Sequence, residues 1–157
     1  MTKHYDIKTY TSRNSLGYLV KLAHMLMLDR ANEAFSGHDL SFMQWIVLTR
    51  LSEGRELTAS DLCRVLRHDT GALTRMIDQL EERGYLKRSR SREDRRVVHL
   101  QLTKDGLNKA NELTPLIVDK LNDALSEFSK AEFAELTRLL TKLINKLDVG
   151  GGINGQN

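Results

Sequence analysis

DTGALTRMIDQLEERGYLKRSRSREDRRVVHLQLT, running from Asp69 to Thr103, is the stretch from which the fold of this chain can be read. Its first half places Leu73, Ile77 and Leu80 at i, i+4 and i+7, so a helix here carries one apolar stripe. Thr70, Gly71, Thr74, Arg75 and Asp78 then face away from that stripe, where they are free to touch a partner. Gly84 supplies a residue able to adopt positive φ just past the helix end. Two short alternating runs follow, Tyr85 to Ser89 and Val97 to Leu102, and they read as the strands of a hairpin. The segment between them, Arg90 to Arg96, is too polar for a core. A helix followed by a hairpin with a basic tip predicts a winged helix-turn-helix, in which the helix can enter the major groove of DNA while the tip reaches the adjacent minor groove.

The net charge of +3 is small, but its position matters more than its total. Lys87, Arg88, Arg90, Arg92, Arg95 and Arg96 set six basic residues against Glu93 and Asp94, whereas the rest of the chain holds 18 basic and 19 acidic residues. All of the excess positive charge therefore lies on the hairpin, where phosphate contacts would release counterions and make binding salt-dependent. A hydrophobic content of 40% with 29% charged residues is ordinary for a globular chain. The longest apolar runs fall far short of the ~18 residues of a membrane span. Met1 to Asp6 lacks the basic start and apolar run of a secretory signal. A cytoplasmic location with no membrane association is therefore expected. Cys63 is the only cysteine, which rules out an intrachain disulfide and fits a reducing compartment.

Outward from the deciding stretch the chain reads as helices. Residues 1 to about 13 are polar and weakly patterned, an arm or frayed lead-in. From Asn14 or Ser15 to about Phe35 a long helix is predicted, with Leu16, Leu19, Val20, Ala23, Leu26, Met27, Ala31 and Phe35 on one stripe and Leu22, Met25 and Leu28 on a second. A face this wide predicts contact on two sides, the second being another subunit or a ligand cavity. Ser41 with Gln44, Thr58 with Asp61, and Ser129 with Glu132 have the spacing of capping boxes, and Asp69 serves as a further N-cap. Thr103-Lys104-Asp105-Gly106 opens a long helix with Leu107, Ala110, Leu113, Ile117, Leu121, Leu125 and Phe128 on one face. Pro115 inside it predicts a kink near Leu113 or Thr114. Phe133, Leu136, Leu140, Leu143 and Leu147 then form a seam for packing helix on helix.

Three runs together resemble the core motif of the MarR (multiple antibiotic resistance regulator) family of bacterial transcription factors. They are Gly71 to Gly84, then Asp94-Arg95-Arg96, then Leu100 to Gly106, and the order of helices extends the likeness over about residues 12 to 148. The resemblance implies a mainly α fold with a small β-hairpin, a winged helix-turn-helix flanked by N- and C-terminal dimerisation helices. It divides the chain into an arm and dimerisation helix (1–36), the DNA-binding unit (37–103), C-terminal dimerisation helices (104–149) and a loose Gly-rich tail (150–157). It further implies a homodimer on a short pseudo-palindromic operator in double-stranded DNA, acting as a repressor, with release by a small aromatic acid, a phenolic compound or an oxidant. Carried over residue by residue, Thr70, Gly71, Thr74 and Arg75 fall at recognition-helix positions and Arg95 at the wing position that enters the minor groove. Asp94 and Arg96 would hold the wing in shape, and Arg92 adds charge at its tip. The physics agrees, since an arginine fork can read guanine O6 and N7 and a narrow minor groove attracts arginine.

The chain departs from two branches of that family. Oxidant sensors carry a cysteine near the start of the first long helix, whereas Cys63 lies in the short third helix beside Leu62 and Leu66, as a small buried hydrophobe. His4, His24, His38, His68 and His99 are scattered without metal spacing, so neither a metal nor a cofactor is expected. His24, Met25 and Trp45 are candidates for an effector pocket, set against the plainer reading of Trp45 as core. No Gly-x-Ser-x-Gly elbow, phosphate-cradling glycine loop or His-Glu-x-x-His points to an enzyme. The expected function is a dimeric, ligand-responsive DNA-binding regulator; the alternative is a winged helix used as a protein-interaction module, which would tolerate loss of Arg75 and Arg95.

Overall fold

Short polar side chains set where each helix begins. In the computed structural model, which describes residues 3–53, 57–91, 93–94 and 96–148, Ser15 accepts the Tyr18 amide at the start of α1 (Leu16–Ala34). Reciprocal capping boxes open α2 (Phe42–Ser52) through Ser41 and Gln44, α3 (Ala59–Leu66) through Thr58 and Asp61, and α6 (Lys130–Leu147) through Ser129 and Glu132. Asp69 accepts the Ala72 amide at 2.8 Å and so starts α4 (Thr70–Glu82). Thr103 does the same for Gly106 at the start of α5 (Lys104–Ala124). Such a cap stabilises by about 1 kcal/mol relative to alanine, because it satisfies an amide that the helix itself leaves open. α5 runs on as one helix through Pro115, and Phe128 lies beyond it in the α5–α6 connection rather than on its face. The tail expected at 150–157, and Arg92 and Arg95 of the basic tip, lie outside the described residues.

The expected hairpin is part of a larger sheet. β1 (Leu57–Thr58), β2 (Leu86–Arg90) and β3 (Val98–Leu102) form three antiparallel strands in the order β1-β3-β2. Leu57 pairs with Leu100 and Thr58 with His99, while Leu86 to Arg90 run against Leu102 to Val98. A two-residue strand is too short for periodicity to reveal, and its partner lies about 40 residues away in sequence, a separation that follows from the register of Leu57 and Leu100. β1 ties the entrance of the helix-turn-helix to the base of the hairpin.

Val47, Leu48 and Leu51 of α2, Leu62 of α3, Leu73, Ile77 and Leu80 of α4, Leu86, Leu100, and Ala110, Leu113 and Ile117 of α5 close one core. Cys63 is only half buried, packed on the rim of that core rather than inside it. Gly106 fits where no other residue would, since a Cβ there would lie 1.9 Å from the Tyr85 carbonyl oxygen. Of α1 only Ala31 is buried, with Phe35 just beyond it, and α6 buries none of its residues. Leu16, Leu19, Met25, Leu26, Met27, Phe133, Leu139 and Leu140 are exposed, so α1 and α6 each present apolar side chains that the described residues of a single copy leave uncovered. Among the described residues no helix is long and apolar enough to cross a membrane.

Candidate nucleic-acid interface

α4 lies with Leu73, Ile77 and Leu80 at 0% exposure against the core, so its opposite face is turned to solvent as the spacing predicts. Thr70, Gly71, Thr74 and Arg75 are all exposed on that face. The Thr74 hydroxyl donates to the Thr70 carbonyl at 2.8 Å, which leaves its oxygen as an acceptor. Arg75 has no hydrogen-bond or ion-pair partner among the described residues, and its guanidinium is available to a base edge or a phosphate. α3 and α4 meet in a tight turn at Arg67 and His68 and form the helix-turn-helix. Gln44, buried at the start of α2, donates to Gln79 at 2.9 Å and so fixes the tilt of α4 from behind.

The hairpin is bolted to α4 by one of its own basic residues. Arg88 on β2 pairs with Asp78 at 2.6 Å and with Glu81, both on α4, and its backbone amide also donates to Glu81 at 2.9 Å. The hydrogen bond to Asp78, with that to Glu81, outweighs partial burial and raises the Arg88 pKa above its ordinary value. Arg88 therefore does not belong with the charges offered to a partner. Asp78 and Glu81 stand three apart on one helix face, and that spacing was the signal available for finding the pair. Lys87, Arg90 and Arg96 remain exposed, Arg96 with 93% of its side chain in solvent. At the tip Asp94 accepts the Arg96 amide at 2.9 Å, its carbonyl accepts the Val97 amide, and the Ser91 hydroxyl accepts the Glu93 and Asp94 amides. These bonds shape the wing through Asp94 and Ser91; Arg92 and Arg95, the other two tip candidates, lie outside the described residues.

A second polar junction joins this unit to the flanking helices, and the sequence reading did not single it out. Asp39, in the α1–α2 connection, meets Lys109 of α5 at 2.9 Å and accepts from the Tyr85 hydroxyl at 3.1 Å, while the Arg83 guanidinium donates to its carbonyl. Burial opposes ionisation of Asp39, but the hydrogen bonds from Lys109 and Tyr85 outweigh it and hold the carboxyl below its ordinary pKa. Those two residues come from the far side of the chain, which is why a linear reading could not assemble the site.

The residues proposed for an effector fall in two places. Trp45 is half buried, stacks on Phe42 at a centroid distance of 5.8 Å, packs against Phe35, and donates its indole N–H to the Ala110 carbonyl at 3.1 Å. His24 and Met25 are exposed on α1. A cleft of about 170 Å³ at the α5–α6 corner is lined by Leu125, Phe128 and Phe133 among others, which the sequence placed on packing faces rather than in an effector pocket. Among the described residues no cluster of His, Cys, Asp and Glu has the makings of a metal site.

Comparison with known proteins agrees with this geometry. A family model described as MarR family matches residues 38–97. The transcriptional repressor MprA of Escherichia coli strain K12 is 30% identical over 124 residues, covering 78% of this chain and 70% of MprA. The HTH-type transcriptional regulator MgrA of Staphylococcus aureus is 32% identical over 121 residues, covering 75% and 79% of the two chains. The crystal structure of wild-type MarR from E. coli in its apo form superposes with a TM-score of 0.73 at 30% identity, covering 83% of this chain and 96% of that one. A cysteine mutant of E. coli MarR complexed with operator DNA gives a TM-score of 0.74 at 29% identity, over 86% and 99%.

Proposed function

The chain belongs to the MarR family, and from that premise we propose that it is a transcriptional regulator that binds operator DNA as a homodimer, represses, and is released by a small aromatic or phenolic ligand. The observation that carries this reading is the pairing of an exposed recognition face on α4 with a basic hairpin held to it through Arg88. Thr70, Gly71, Thr74 and Arg75 address the major groove, and Arg92, Arg95 and Arg96 reach the minor groove and its phosphates. The similarity of the fold to an E. coli MarR mutant complexed with operator DNA supports the same mode. No bond is made or broken in this function, and the site of action is the cytoplasm, where the operator lies.

Dimerisation is supported by the exposed apolar residues that α1 and α6 each carry on one face, a pattern that marks protein–protein contact sites. The domain plan follows: residues 1–36 and 104–149 build the dimer and 37–103 the DNA-binding unit. An effector would act by differential binding, favouring a wing separation that no longer matches half-sites about one helical turn apart, ~34 Å. Trp45 is a reasonable lever for such coupling because its indole joins α2 to α5, with His24 and Met25 on α1 as further contacts. The test is fluorescence anisotropy of the protein on its own upstream DNA at two salt concentrations, with and without salicylate. Tight binding that weakens with salt and falls at least tenfold in Arg75→Ala supports the regulator, and weakening by salicylate supports the effector arm. Indifference to every duplex at low salt would move the reading to a protein-interaction module.

A further inference from the structure

Arg67 stands out in the backbone. It closes α3 with φ 48° and ψ 42°, and among the described residues it is the one non-glycine residue at positive φ. Its amide and that of His68 both donate to the Cys63 carbonyl, the arrangement in which helices ordinarily end on glycine or asparagine. A Cβ in this conformation crowds the following carbonyl, so arginine is an unfavourable choice on backbone grounds. Among the described residues no side-chain contact of Arg67 offsets that cost. The side chain is exposed and has no hydrogen bond or ion pair among the described residues, whereas Arg64, one turn earlier, is paired with Asp61 at 2.9 Å. A strained backbone with an idle side chain at a functional edge points to work done outside the chain.

Its place narrows that work. Arg67 is the hinge residue of the helix-turn-helix, three residues ahead of Thr70, where the exposed recognition face begins. We infer that Arg67 is an additional DNA-contacting residue that grips a backbone phosphate flanking the half-site and anchors the N-terminal end of α4. This rests on the DNA-binding reading above. A positive charge at this turn adds affinity and register but no base specificity, because phosphates look alike on every sequence. Asp69, two residues on, accepts the Ala72 amide and makes no ion pair with Arg67.

The test uses the full-length protein on a labelled duplex from its own upstream region, titrated at several salt concentrations, with thermal melts alongside. Arg67→Gly and Arg67→Asn both suit the left-handed backbone and both lack the charge. Each is expected to bind about tenfold more weakly at low salt. Each should also flatten the dependence of log K on log salt by about 0.9 per chain. Arg67→Gly is expected to melt about 2–4 °C higher, since the strain is relieved. Arg67→Lys should keep the wild-type slope. Wild-type slope and affinity in Arg67→Gly would overturn the assignment while leaving the DNA reading intact, and so would weaker binding at unchanged slope, which marks a loosened turn rather than a lost phosphate contact. A lower melting temperature for Arg67→Gly would also overturn it, because the side chain would then be serving the fold. Absence of salt-dependent binding by the wild type would bring down the regulator reading and this inference with it.

Discussion

Arg75 and Arg88 carry the same charge in opposite situations, one exposed without a partner among the described residues, the other held by Asp78 and Glu81. Arg75→Ala is therefore expected to leave stability within about 0.5 kcal/mol of wild type in a chemical melt. The same change should lower operator affinity at least tenfold, the scale of one good arginine–guanine contact. Gly106→Ala should do the reverse kind of damage. Its Cβ would meet backbone at Tyr85, which cannot swing away, so a loss of about 3 kcal/mol in urea unfolding is expected. Nothing local in Thr-Lys-Asp-Gly reveals this, because the crowding atom arrives from Tyr85 in the turn between α4 and β2. The caps at Ser41, Thr58, Asp69 and Ser129 were legible for the opposite reason: donor and acceptor lie within three residues of each other. Cys63 was read as buried from its apolar neighbours, yet helix spacing leaves it on the rim.

The helix, the hairpin and the connections between them act as units, and the Arg88 pair sets their angle. Removing both acids in Asp78→Asn/Glu81→Gln makes the chain more positive, and simple electrostatics then expects tighter DNA binding. Specific binding is expected to weaken instead, because the hairpin loses its hold on α4; anisotropy on specific and scrambled duplexes separates the two. The junction at Asp39 predicts a pH effect. Its folded pKa lies below the ordinary value of 3.8, so its contribution is present above that value and is lost as pH falls through the folded pKa. The side chain is about half exposed, so the contribution is at most ~1 kcal/mol. Asp39→Asn should be less stable than wild type at pH 7, and the difference should vanish below the ordinary carboxylate range in melts across pH. β1 and this junction both pair distant segments, and neither leaves a mark in periodicity. The α4 stripe and the hairpin do, because each is built from neighbours.

At the scale of the molecule, the distribution of apolar surface matters most. α6 carries Phe133, Leu136, Leu139, Leu140 and Ile144, and the described residues of a single copy leave all of them exposed, as the proposed dimer requires. Leu136→Asp/Leu140→Asp is expected to yield a folded monomer by sedimentation, with operator binding reduced more than a hundredfold, since two half-sites would no longer be held together. The breadth of the α1 and α6 faces was plain in the sequence; which surface covers them was not, because amphipathicity gives a face and not its partner. Whether a dimer reads paired half-sites is tested by a hydroxyl-radical footprint of the protein on its upstream DNA. Two symmetric protected patches centred about one helical turn apart, ~34 Å, are the predicted result. A single protected patch, or uniform protection that ignores sequence, would contradict a dimer reading paired half-sites through α4 and its wing.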